Sequence, residues 1–172
     1  METNGIIQNE RTAEEIKISS QPDGPGLRMG KRGELTMIGN LTPGGAELFR
    51  KRLPQFQAES NYWETRVGTV QNFRIVIFDN DTRYILTVVY DGDFEPYVRD
   101  IGQFAGPWLD AVATGVLEDY PGSTNPGMIK FVKDRLLPAE FFWAANSEVT
   151  VRDIIKMQKL HKSFGEVLDA MS

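Results

Sequence analysis

Eight large side chains with polar tips, Trp63, Arg66, Arg74, Tyr84, Tyr90, Trp108, Trp143 and Asn146, are the residues of this chain best suited to binding chemistry. Tyr and Trp bury an apolar body while offering one hydrogen bond, and Arg partners a carboxylate or enolate, so together they make up small-molecule pockets. Packing in a core or interface is the plain alternative for each. Arg66 and Arg74 sit eight positions apart and point to the same side of a strand if no bulge intervenes. A guanidinium facing an apolar layer is costly unless it meets an anion. A bound carboxylate or phenolate meets that need, with Tyr90 and Trp143 covering the ligand's rings; pairing with Glu64, Asp91 or Asp100 meets it without a ligand. The ligand-binding candidates are therefore Arg66, Arg74, Tyr90, Trp143, Trp108 and Tyr84.

Other chemistries find less material. The chain has no cysteine and one histidine, His161, which removes disulfides, thiolate catalysis, iron–sulfur clusters and most structural zinc sites. A haem would need His161 or an unusual residue as its axial ligand, and helical spacing from Met157 places His161 on or beside the apolar face of a helix, where packing explains it. No nucleophile elbow of the form G-x-S-x-G and no phosphate-cradling glycine fingerprint is present. Asp79, Asn80 and Asp81 belong to a hairpin turn, where backbone geometry favours them. No metal and no cofactor is expected, and no catalytic residue is assigned.

These candidates depend on a simple order of elements. Residues 1–32 hold the breaker cluster Gln21-Pro22-Asp23-Gly24-Pro25-Gly26 and read as a flexible N-terminal arm whose basic knot, Arg28, Lys31 and Arg32, is a solvated tail; Glu15-Ile16-Lys17-Ile18 suits a short edge strand. Residues 33–172 read as one domain. Glu34 to Leu41 is a strand, and Ala46, Phe49, Leu53 and Phe56 recur at helical spacing with Pro54 expected to kink or end that helix. The hairpin arms run from Thr65 to Phe78 and from Arg83 to Tyr90. Asp93 is placed as an N-cap with Glu95 and Pro96 in the first turn, and Gly106-Pro107 is expected to bend the helix that follows. Met128, Ile129, Val132 and Leu136 suggest a short helix, Glu140 to Ala145 a fourth strand, and Thr150 with Asp153 a capping box opening a last helix. The order β-α-β-β-α-(α)-β-α is an α+β, ferredoxin-like split βαβ plan with an antiparallel sheet and an extra C-terminal helix.

Both faces of the hairpin are apolar, whereas helices in this plan cover one face only. A second copy packed sheet to sheet covers the other most simply, so a homodimer through the sheet face is expected, with a large ligand, the C-terminal helix or the N-terminal arm over that face as the alternatives. The chain resembles the dimeric α+β barrel superfamily, which hosts cofactor-free oxygenases, chlorite dismutases and dye-decolourising peroxidases, and within it a group of small stand-alone proteins. The resemblance rests on Gly68, Thr69, Val70 and Arg74 of a G-T-[VL]-H-F-A-R hairpin, on Asp91-Gly92, on Tyr97 and Asp100 of a Y-x-x-D helix, and on Leu41-Thr42-Pro43-Gly44. Gln71 and Asn72 replace the pattern's His and Phe, which puts in doubt any role needing imidazole there. The polar-tipped side chains suggest a pocket between sheet and helices for a small, largely apolar or aromatic ligand; the resemblance implies, as the alternative, an oxidoreductase, either a cofactor-free oxygenase or peroxidase-like and haem-dependent; a non-catalytic structural or regulatory dimer is the third reading.

Composition bounds the partners. A net charge of −5 over 172 residues argues against a nucleic-acid surface. The absence of a long apolar run or an apolar leader argues against a membrane span, so a cytoplasmic protein is expected.

Overall fold

Alternating side chains in Val70–Phe78 and Arg83–Asp91 build a long antiparallel hairpin, and the second arm pairs along its whole length with Arg32–Asn40. The computed structural model describes residues 18–170 except 22, 23 and 25. In chain order the elements are β1 (Ile18–Ser20), β2 (Leu27–Met29), β3 (Arg32–Asn40), α1 (Gly45–Val67), β4 (Val70–Phe78), β5 (Arg83–Asp91), α2 (Phe94–Ala113), α3 (Met128–Lys133), β6 (Leu136–Leu137) and α4 (Val151–Ala170). The result is an α+β fold with a six-stranded antiparallel sheet ordered β1-β2-β3-β5-β4. The two-residue β6 pairs with Thr36 and Met37 of β3, beside β2 at Arg32 and Gly33, so the two share one edge of β3.

One sheet face carries Leu35, Met37, Tyr84, Val88 and Tyr90 against Phe94, Tyr97 and Val98 of α2 and Phe131 and Val132 of α3. A second cluster joins Phe56 and Val67 of α1 to Ala105, Trp108 and Val112 of α2. At its centre Phe56 and Trp108 stack with ring centroids 3.9 Å apart, and the Trp108 indole donates to the Phe56 carbonyl at 2.9 Å. Opposite that core, the registers place Thr36, Ile38, Arg74, Val76, Ile85, Thr87 and Val89 on the other face, where Val76 is 44% exposed. Helix α4 also shows an apolar stripe, Met157, Leu160, Phe164, Val167 and Leu168, each more than half exposed.

Several expectations are corrected. Helix α1 continues through Pro54 to Val67, so the hairpin begins at Val70, and Thr65 and Arg66 are helical rather than strand. Packing of Phe56 and Val67 against α2 outweighs the roughly 3 kcal/mol cost of an interior proline. Residues 140–145 form no strand; Phe141 and Trp143 are exposed, and the sheet takes Leu136–Leu137 instead. Residues 18–20 and 27–29, within the segment read as an arm, form β1 and β2, while residues 15–17 lie outside the described residues. The basic knot is not a solvated tail: Arg32 is buried and Arg28 pairs with Asp93 at 2.6 Å. Helix α2 runs on past Pro107 to Ala113, as the sequence pattern had it. The capping box forms as expected, Asp153 accepting from the Thr150 amide at 3.0 Å and hydroxyl at 2.7 Å while its own amide donates to Thr150 Oγ1.

Gly39 of β3 lies opposite Tyr84 of β5, and a methyl group there would come within 2.7 Å of the Tyr84 ring. Since Tyr84 is 1% exposed, the ring has nowhere to retreat. Gly39→Ala is expected to lower the unfolding free energy by about 1–3 kcal/mol, measured by urea denaturation.

Candidate functional site

The end of β5 is organised by one buried carboxylate. Asp91 accepts from Gln71 Nε2 through both oxygens at 3.0 Å and from the Val151 amide at 2.6 Å, with Arg32 Nη1 3.7 Å away. Both ends of that ion pair are under a tenth exposed. Gln71 reaches it because β4 shifts register between Val70 and Asn72; such a bulge re-aims the extra side chain. Arg32 in turn donates to the carbonyls of Val149 and, at 3.4 Å, Asn146, so the segment entering α4 is tied to β3 and β5.

Around this node lies a polar cleft of about 480 Å³, lined among others by Arg28, Lys31, Thr69, Asp93, Tyr97, Asp100 and Arg152. Glycines shape its walls: Gly68 caps α1 at φ +66°, and Gly92 turns from β5 toward α2 at φ +94° with open space where a side chain would be. Both conformations favour glycine. Of the residues that carry the resemblance, Gly68, Thr69, Asp91, Gly92, Tyr97 and Asp100 line this cleft, while Val70, Arg74 and residues 41–44 do not. Asp93 spends its carboxylate on Arg28 instead of capping α2. Among the described residues no group of His, Cys, Asp or Glu is placed to hold a metal ion.

Tyr97 also lines a second space, an apolar cavity of about 80 Å³ between the sheet and α2 and α3, bounded by residues such as Leu86, Val98, Ile101, Trp108 and Phe131. Behind Tyr97 its ring stacks on Tyr90 at 4.1 Å, and the Tyr90 hydroxyl accepts from the buried Gln21 amide at 2.6 Å. Burial among these rings, with Tyr90 adding to it, pushes the Tyr97 phenol well above its ordinary range. Glu64, in the last turns of α1, is the one carboxylate lining the cavity. Its side chain meets no donor among the described residues, and desolvation raises its pKa.

The six sequence candidates scatter. Trp108 lines the cavity, and Tyr90 supports Tyr97 from behind. Tyr84 is buried under Gly39, its phenol pushed up to about 12 by burial despite the nearby Arg135. Arg66 lies exposed at the end of α1 over the rings of Tyr62 and Trp63, Arg74 is exposed on the opposite sheet face, and Trp143 is 64% exposed in a loop. The argument that Arg66 and Arg74 share a strand face therefore fails, since one is helical and a bulge intervenes before the other. Of the two remaining polar-tipped residues, Trp63 donates to Glu59, and Asn146 offers its carbonyl to Arg32. His161 is exposed on α4. Arg152 carries no signal in the sequence, Thr69 stood only among the residues of the resemblance, and Glu64 stood only as a possible ion-pair partner for the arginines, since no periodicity marks any of the three.

No family model matches the chain, and neither a curated protein nor a solved structure matches it. No helix of the described residues is long and apolar enough to cross a membrane.

A carboxyl group whose pKa is higher folded than unfolded binds its proton more tightly in the native state. Glu64 therefore favours the fold below its ordinary value of 4.5 and withdraws that support as pH rises through the raised folded value. Glu64→Gln is expected to be more stable than the parent at neutral pH, the difference vanishing below about pH 4.5, as measured by urea denaturation across a pH series.

Proposed function

We propose that this chain is a ferredoxin-like protein of the dimeric α+β barrel type that binds a small, largely apolar ligand in the cavity between sheet and helices, with Glu64 contacting the ligand's single polar group. The observation that carries this reading is the cavity: an almost wholly apolar space facing one carboxylate that lacks a partner among the described residues. Such spaces stay dry and take apolar guests, and a few convergent polar groups set their selectivity. Size narrows the guest. At about 80 Å³ the cavity is smaller than the roughly 150 Å³ that accepts benzene, so a branched aliphatic group fits better than a ring unless the walls move. A hydroxyl on that group donates to Glu64.

Two features support the fold and assembly parts of the proposal. The antiparallel run β6-β3-β5-β4 has the strand order of the split βαβ plan. The apolar side chains Ile38, Val76, Ile85 and Val89 on the helix-free face, with the stripe on α4, give a second copy two surfaces to cover.

The test is methyl-detected NMR of the intact chain titrated with isobutanol, isopentanol and cyclohexanol, alongside sedimentation of the same sample. Shifts confined to the methyls of Val98, Ile101 and Leu86, strongest for the branched alcohols and abolished in Ala113→Leu, are expected. The sedimenting mass is expected at about twice 19.4 kDa. Unchanged methyl spectra with every alcohol would overturn the ligand reading, and a 19.4 kDa species at micromolar concentration would overturn the dimer.

A further inference from the structure

Several groups that line the polar cleft are already paired. Asp91 is saturated by Gln71, the Val151 amide and Arg32, and Asp93 is held by Arg28. What remains is a mixed set. Arg152 has no ion pair among the described residues, and Lys31 acts only through space, helping to hold the Asp153 carboxyl below its usual range. Asp100 has no hydrogen-bond or ion-pair partner among the described residues, and neither does the Tyr97 hydroxyl. Thr69 Oγ1 is buried without a partner. A buried hydroxyl left unsatisfied is unfavourable, and native proteins rarely keep one without a use.

We propose that this cleft binds a small carboxylic acid that carries a second, donor group, an ammonium or a hydroxyl, beside its carboxylate. Arg152 and Lys31 supply the opposite charge for the carboxylate, and the Thr69 hydroxyl donates to it. Asp100 accepts from the second group. The Tyr97 ring and Pro96, which also line the cleft, give the rest of the molecule an apolar wall. The unspent charges are two cations and one carboxylate, which suits an acid with a donor better than a dianion or a simple amine. The volume of about 480 Å³ falls within the roughly 300–1,000 Å³ typical of ligand sites. This site stands independently of the apolar cavity, since neither needs the other to be occupied.

The experiment is ligand-observed NMR on the intact chain with four probes sharing one phenyl-alkyl frame: hydrocinnamate, phenyllactate, free phenylalanine and phenethylamine. At least one of the two donor-bearing acids is expected to bind about tenfold or more tightly than hydrocinnamate, and phenethylamine is expected not to bind. Arg152→Met, a change at an exposed position, is expected to weaken that binding by about tenfold, and the isosteric Thr69→Val by about fivefold. The tighter of the two donor-bearing acids identifies the second group, and Asp100→Asn, which removes the charge but keeps an accepting oxygen, is expected to weaken free phenylalanine more than phenyllactate. Ala113→Leu, which fills the cavity, is expected to leave every result unchanged, so failure of the cavity reading does not decide this one. Absence of binding by any acid, equal binding of hydrocinnamate, or full binding by Arg152→Met would overturn the proposal.

Discussion

The Asp91 carboxylate is the point on which the rest of this structure depends. Four segments distant in sequence meet at its two oxygens or at the Arg32 that neutralises it: the β4 bulge through Gln71, the end of β5, the start of β3, and the turn into α4 through Val149 and Val151. Removing one member of such a buried, hydrogen-bonded pair strands the other, at a cost of about 3–5 kcal/mol. Few other contacts in the described residues link α4 to the sheet. The helix is exposed along most of its length, and its own capping box stabilises it locally without fixing its direction. Asp91 supplies the direction, and with it places Arg152 against Gly68 on the cleft wall.

Tyr97 borders both the cleft and the cavity. Its ring is held by stacking on Tyr90, which is positioned by Gln21 from the N-terminal hairpin, and Gln21 also donates to the Glu34 carbonyl at 3.1 Å. The segment preceding β2 is thus part of the support for a residue that borders both spaces. Glu34 itself is buried beside this hairpin, and desolvation raises its pKa although the Leu27 amide bonds it at 2.9 Å. The hairpin therefore closes over polar groups as well as apolar ones, which makes it an integral edge of the sheet. The charged side chains that line the cleft and the apolar walls of the cavity give the two spaces opposite ligand chemistry.

The hairpin, the entry to α2 and the capping box were legible because each rests on local chemistry: alternation, turn residues and short-range hydrogen bonds. Three consecutive left-handed residues, Asp79, Asn80 and Asp81, make the turn that their types announced. What was not legible depends on distant contacts. Pro54 signals a break that packing between α1 and α2 overrides, and from that one misreading came the misplacement of Arg66. A two-residue strand such as β6 carries no period to detect, while the aromatic run at 140–145 mimics a strand without joining the sheet. For the site, Asp91, Gly92, Tyr97 and Asp100 stood out as a pattern, but their meeting with Arg152 and Lys31 follows from topology alone. Gln71 was noticed as a departure from the superfamily pattern; its bond to Asp91 depends on a bulge that no local residue type signals.

Hydrogen–deuterium exchange on Asp91→Asn tests the organising role of this carboxylate most directly. Asn keeps the shape but removes the charge that balances Arg32 and one of the two accepting oxygens. The account predicts that amides at Val149, Val151 and Gln71 lose protection together, while those of Leu35 and Met37 in the middle of β3 keep theirs. Protection unchanged at Val149 and Val151, or lost evenly across the sheet, would contradict it.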